Sequence, residues 1–240
     1  MSRPMPSSAE APYARVAALL VALLVPAAAA AQVGHTPESS PYRDLEHRQE
    51  ITAFGGVMVS QKDVAGVAYR GGPMLGARYQ FYIGGPAYVV GRLSAVQSER
   101  RVIDPTEPLS TRDLGDRSGT LLFADAGLEF ALTGHKSWHG LVPVLNGGLG
   151  VGSDFRSSDV GGFKFGTPFA LTYGAGIRWT NGRRLQVRLD AGDFLHRLTY
   201  PDRYYRETED VPAVLEPNVP RTRWTHNGAF TLGLSYLFGR

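Results

Sequence analysis

The chain has 240 residues, a formal net charge of +3 at neutral pH, 43% hydrophobic residues, 29 glycines and no cysteine. So small a positive charge gives no footing for nucleic-acid binding, and the missing cysteines exclude disulfides, thiolate metal sites and a lipidated N-terminal cysteine. After the first segment no stretch offers the roughly 20 consecutive apolar residues of a membrane-spanning helix.

The first segment reads as a leader. Arg3 and Arg15 flank the start of the apolar run Val16 to Val25, which is too short to span a bilayer and ends in Pro26 and alanines. Ala29-Ala30-Ala31 before Gln32 offers small residues for a signal peptidase, so residues 1–31 are expected to be a cleaved secretory signal peptide. Residues 32–48, with Pro41-Tyr42-Arg43-Asp44, read as a periplasmic linker or a short plug.

From residue 49 the pattern becomes two-residue alternation, which marks strands with one apolar face. In chain order the strands fall at about 50–60, 73–83, 87–102, 122–132, 141–151, 169–179, 185–191 and 229–238. The first is the faintest, because Phe54 and Met58 share a parity with Thr52 and Ser60. The last is the clearest: Phe230, Leu232, Leu234, Tyr236 and Phe238 alternate with Ala229, Thr231, Gly233 and Ser235. Short links at 84–86, 134–140 and 180–184 alternate with long ones at about 61–72, 103–118, 154–166 and 198–227. Eight strands with short turns at one rim and long loops at the other predict an all-β fold, an eight-stranded antiparallel up-and-down transmembrane β-barrel over residues 49–240.

The polar parity is made of Gly, Ala, Thr and Ser with scattered charges, which suits the interior of a narrow barrel. A water-exposed cup would carry Lys and Glu along every strand instead. Tyr82, Tyr88, Trp138, Trp179, Tyr236 and Phe238 fall near the short-turn end, where a ring of aromatics is expected at headgroup level.

The leader, the eight alternating runs, the short and long links and the Phe230-to-Phe238 strand together resemble small outer-membrane barrels of the OmpA-like, OmpX-like and OmpW-like kind. The resemblance implies the outer membrane of a diderm bacterium, with lipid and lipopolysaccharide as surroundings and the barrel-assembly machinery as a biogenesis partner. It implies no particular activity. The last strand resembles the signal that machinery recognises, except that Gly239-Arg240 follow the aromatic.

Turn lengths align the inward charges. Gly84-Gly85-Pro86 as a three-residue loop sets Arg78 opposite Arg92, and Thr180 to Gly182, with Gly182 left-handed, keeps the faces of that hairpin aligned. If the 103–118 loop closes symmetrically, Glu129 lies beside Arg92. The expected lumen cluster is therefore Arg78, Arg92, Asp125 and Glu129, with Arg178, Arg188 and Asp190 as further inward charges. Its principal reading is a side-chain-filled lumen in a non-enzymatic protein that acts structurally or through its outer loops. A small-solute, porin-like channel is the first alternative.

A lipid A-modifying enzyme is the second. His196, with Asp193 nearby, and His226 lie near the long-loop rim, yet neither has the serine two positions on that a lipid A deacylase resembles. His135 and His139 sit in a turn beside Trp138, and no metal or cofactor is expected. The 198–227 segment mixes Tyr204, Tyr205 and Trp224 with many charges and is the candidate extracellular binding loop.

Overall fold

A computed structural model describes residues 40–239 except Asp210. The leader read at 1–31 and residues 32–39 lie outside the described residues. In chain order the strands are β1 (Tyr42–Asp44), β2 (Gln49–Ser60), β3 (Gly71–Gly84), β4 (Ala87–Ile103), β5 (Asp113–Ala131), β6 (Lys136–Trp138), β7 (Leu141–Ser153), β8 (Phe169–Thr180), β9 (Leu185–Thr199), β10 (Thr222–Thr225) and β11 (Asn227–Phe238).

Eight of these make a closed wall. β2, β3, β4, β5, β7, β8, β9 and β11 pair antiparallel in sequence, and β11 returns to β2 along its whole length, from Asn227 opposite Ser60 to Phe238 opposite Gln49. Closure leaves the wall no unpaired edge. The small ladder β1–β6 lies at the short-turn end, and β10 extends the wall along β9 at the other.

Alternation sorts the side chains as the parity demands. Leu75, Leu93, Leu149, Leu189, Phe230 and Leu232 all stand outward and exposed. On β4 and β5 the outward face turns polar beyond Ala95 and Leu122, where Gln97, Glu99 and Arg101 pair with Thr120, Ser118 and Asp116. This hairpin therefore stands above the apolar band.

Two hairpins depart from the expected register. Arg78 does face Arg92, helped by a bulge between Tyr82 and Gly84. β5, however, begins at Asp113 and a bulge follows Arg101, so Arg92 faces Asp125 and Glu129 faces Tyr88. The long loop does not close symmetrically. At the other hairpin Gly182 is left-handed with φ 79, but Thr180 pairs with Gln186, a longer connection than three residues. The Asn181 side chain accepts the Arg183 N–H at 3.1 Å, a local turn that extends the link and sets Arg178 opposite Arg188.

The interior is layered. At the short-turn end Tyr88, Ala131, Val142 and Val144 pack with Tyr82 and Leu45. Tyr82 and Tyr88 thus point inward as a stopper and do not join an outer aromatic ring, whereas Trp138, Trp179 and Tyr236 do face outward. Charged groups fill the middle. Above them Met58, Met74, Val96, Leu121, Phe123 and Phe194 form an apolar layer with Phe54 and Tyr69. Phe54 lies over Gly76, where a β-carbon would come 2.4 Å from the ring.

Candidate functional site

The charged layer is built by one inward position per two residues on six strands. β3 brings Arg78 and Gln80, β4 Arg92, β5 Asp125 and Glu129, β8 Arg178, β9 Arg188 and Asp190, and β2 adds Glu50. Glu129 is the hub. It accepts from Arg78 at 3.0 Å and from Arg188 in a closer contact, and Arg178 lies 3.9 Å away. Arg188 also bonds Asp190 at 2.6 Å and Gln80 at 3.2 Å. Arg92 instead forms a two-pronged pair with Asp125 at 3.0 and 3.1 Å.

Glu50 and Gln80 were not among the sequence candidates. Glu50 accepts from Arg178 at 3.3 Å and from Gln80 at 2.9 Å. The guanidinium of Arg178 also rests on the Tyr88 ring at 4.8 Å, while its Nε and one Nη lack a partner. Counting Arg78, Arg92, Arg178 and Arg188 against Glu50, Glu129, Asp125 and Asp190, the layer balances its charge, as groups withdrawn from water require. A cavity of about 20 Å³ remains beside Arg92, Arg188 and Asp190, the volume of about one water.

The long loops close over the wall as a second small core. Val67, Ile103, Phe163, Leu198, Tyr200, Tyr204 and Leu215 pack together. Arg100 pairs with Asp159 at 2.7 Å beneath Phe163, whose ring lies 5.0 Å from the guanidinium. Asp63 accepts the N–H groups of Val67 and Ala68 and the Tyr200 hydroxyl at 3.1 Å. Burial, reinforced by Asp63 and Asp159 respectively, raises the Tyr200 and Tyr204 hydroxyls well above the usual tyrosine range.

The three aromatic loop candidates are separated. Tyr204 is 0% exposed and serves the dome's interior. Tyr205 is half-buried beneath Arg221, and Trp224 is 44% exposed on the outer face opposite Arg197. The histidines separate as well. His196 is buried against Thr225 and Phe165, His226 bonds Asp193 at 2.5 Å, and His135 stacks on Tyr82 at 4.0 Å with Tyr88 at 3.0 Å. His139 lies edge-on to Trp138. Among the described residues no three His, Asp or Glu are placed to hold a metal ion.

No protein-family model and no curated protein matches this chain. Solved structures similar to it include Neisserial surface protein A, with 13% identity over 79% of this chain and 97% of that chain and a TM-score of 0.46. The outer membrane protein OprG from Pseudomonas aeruginosa is 13% identical over 81% of this chain and 98% of that chain, with a TM-score of 0.47. The outer membrane protein AlkL in DMPC lipid bilayers is 17% identical over 87% of this chain and 98% of that chain, with a TM-score of 0.45.

Proposed function

We propose that this chain is an integral outer-membrane protein, exported with a cleaved signal peptide, that catalyses nothing, holds its lumen shut and acts through the ordered surface at its long-loop end. The outward band supports the membrane reading. Leu75 to Ile83, Phe169 to Trp179 and Phe230 to Phe238 are apolar on every outward position except for tyrosines, the roughly 9–11 residues that a tilted strand needs to cross hydrocarbon. In water so continuous an apolar belt would drive aggregation. On this reading the short turns are periplasmic and the long loops extracellular, and the partners are outer-membrane lipid, lipopolysaccharide and, during biogenesis, the barrel-assembly machinery.

The carrying observation is the order of the interior: a charge-balanced layer between two apolar layers, with a cavity of about one water's volume where the charges meet the apolar layer toward the long loops. An ion crossing it would have to leave water twice and break several buried pairs. Purified protein in planar bilayers should give no steady single-channel openings. Steady openings that change in Arg92→Ala overturn the closed-lumen reading, and lipid A whose acylation differs between expressing and non-expressing cells overturns the non-enzymatic one.

A further inference from the structure

The outward face of β8, β9 and β11 carries a groove of about 590 Å³. Its floor is small, with Ala175 opposite Ala191 and Gly55 near the middle of β2, and its walls are Ile177, Phe230 and Leu232. It lies within the apolar band.

One rung toward the long loops the same face carries a polar cluster, and above it Leu171 stands opposite Leu195. Tyr173 stands opposite Asp193, which stands opposite Gly228. The Tyr173 hydroxyl donates to Asp193 at 2.9 Å, the His226 ring nitrogen lies 2.5 Å from the same carboxylate, and the Asn227 N–H donates to its other oxygen at 2.6 Å. Asp193 is thereby spoken for, and it fixes an imidazole that remains 59% exposed. One diagonal further, Arg197 is exposed opposite Trp224 and makes no ion pair among the described residues. Diagonal cross-strand neighbours of this kind lie within reach of one another's long side chains.

A second groove, about 580 Å³ over Ala77, Gly91, Ala124 and Ala126, makes a useful contrast. Toward the long loops its outward continuation is Leu75, Ala95 and Leu122, then Gln97, Glu99 and Arg101, and that arginine is paired with Asp113 at 3.4 Å. Of these two grooves, the first is the one whose overlying arginine, Arg197, makes no ion pair among the described residues.

We propose that this face is a lateral site for a phosphorylated, multiply acylated glycolipid of the outer leaflet: one acyl chain in the groove, its phosphate on Arg197 and His226, and a sugar against Trp224. The site rests on the outer-membrane reading above. Charge complementarity selects the occupant, since an exposed arginine donates to a phosphate through charge-assisted bonds, as does an imidazole protonated on both nitrogens, Nδ1–H toward Asp193 and Nε2–H toward the ligand, and an exposed tryptophan suits the headgroup level.

The test is native mass spectrometry of the detergent-solubilised full chain titrated with bisphosphorylated lipid A, its dephosphorylated form and inorganic phosphate. Arg197→Glu and the groove-filling Ala191→Trp should each weaken lipid A binding about tenfold, while Ala124→Trp in the contrasting groove leaves it unchanged. Dephosphorylated lipid should bind the wild type as weakly as lipid A binds Arg197→Glu. Equal binding by wild type and both variants, indifference to the phosphate, or occupation by inorganic phosphate alone overturns the proposal. Should Arg197→Glu not fold, Arg197→Gln carries the same comparison. Density-gradient fractionation is read separately: protein outside the outer-membrane fraction sinks the localisation reading, whereas the binding ratios in detergent judge the site itself.

Discussion

Arg188 and Glu129 meet across the lumen from β9 and β5, strands that share no hydrogen-bonded ladder, and both side chains are withdrawn from solvent. Their contact ties opposite walls of the barrel together. Glu129→Gln leaves Arg78, Arg178 and Arg188 facing one another with too little negative charge, and removing one partner of a buried pair costs about 3–5 kcal/mol. Urea unfolding followed by tryptophan fluorescence should show that loss. Glu129→Leu combined with Arg188→Met should lose less than the two single changes summed, because the two sites are in contact.

The dome depends on Arg100 and Asp159 in the same way. Their 2.7 Å pair is buried among Tyr69, Phe163 and the loop core. Arg100→Ala should open the 154–168 and 200–221 loops to protease and raise their hydrogen exchange, with the wall strands still protected. Uniform exchange across wall and loops would mean that the dome and barrel unfold as one.

At the short-turn end, His135 gives the protein a pH dependence with a defined sign. Burial against Tyr82 and Tyr88, together with the nearby Arg178 and Arg48, lowers its pKa below the ordinary 6.5, with Asp44 opposing. The unfolded or undocked chain therefore takes up the proton first as pH falls. The stabilisation is complete above about pH 6.5 and is lost as pH drops toward the depressed value. Residues 41–48, which dock through Leu45 onto His135 at 3.1 Å, should become more protease-sensitive between pH 7.5 and 5.5. His135→Phe should remove that pH dependence.

The eight strands were legible because alternation with a period of two survives even where each strand alone is ambiguous. What blurred the first strand was physical. Phe54 and Met58 do point inward, since the lumen turns apolar toward the long loops, and a reading that expects a uniformly polar interior finds their parity contradictory. That is also why Glu50 escaped notice. Parity placed Arg92, Asp125 and Glu129 on one face, but partner choice within the face depends on loop closure. The bulge after Arg101 and the early start of β5 at Asp113 moved Asp125 opposite Arg92, and neither is encoded in hydrophobic pattern. The burial of Tyr204 depends on contacts between loops distant in sequence, which no local pattern records.

The like-charged rungs have a consequence for how the barrel is made. Arg78 faces Arg92 on adjacent strands, and Arg178 faces Arg188. The carboxylates that hold Arg178 arrive from β2 and β5, neither of which neighbours β8. A β8–β9 hairpin taken alone thus opposes two cations with only Asp190 to offset them, and the repulsion is relieved when the seam between β11 and β2 is zipped. Closing the barrel should therefore stabilise the β8–β9 hairpin as well as the seam itself, since Glu50 reaches Arg178 from a strand that does not neighbour β8.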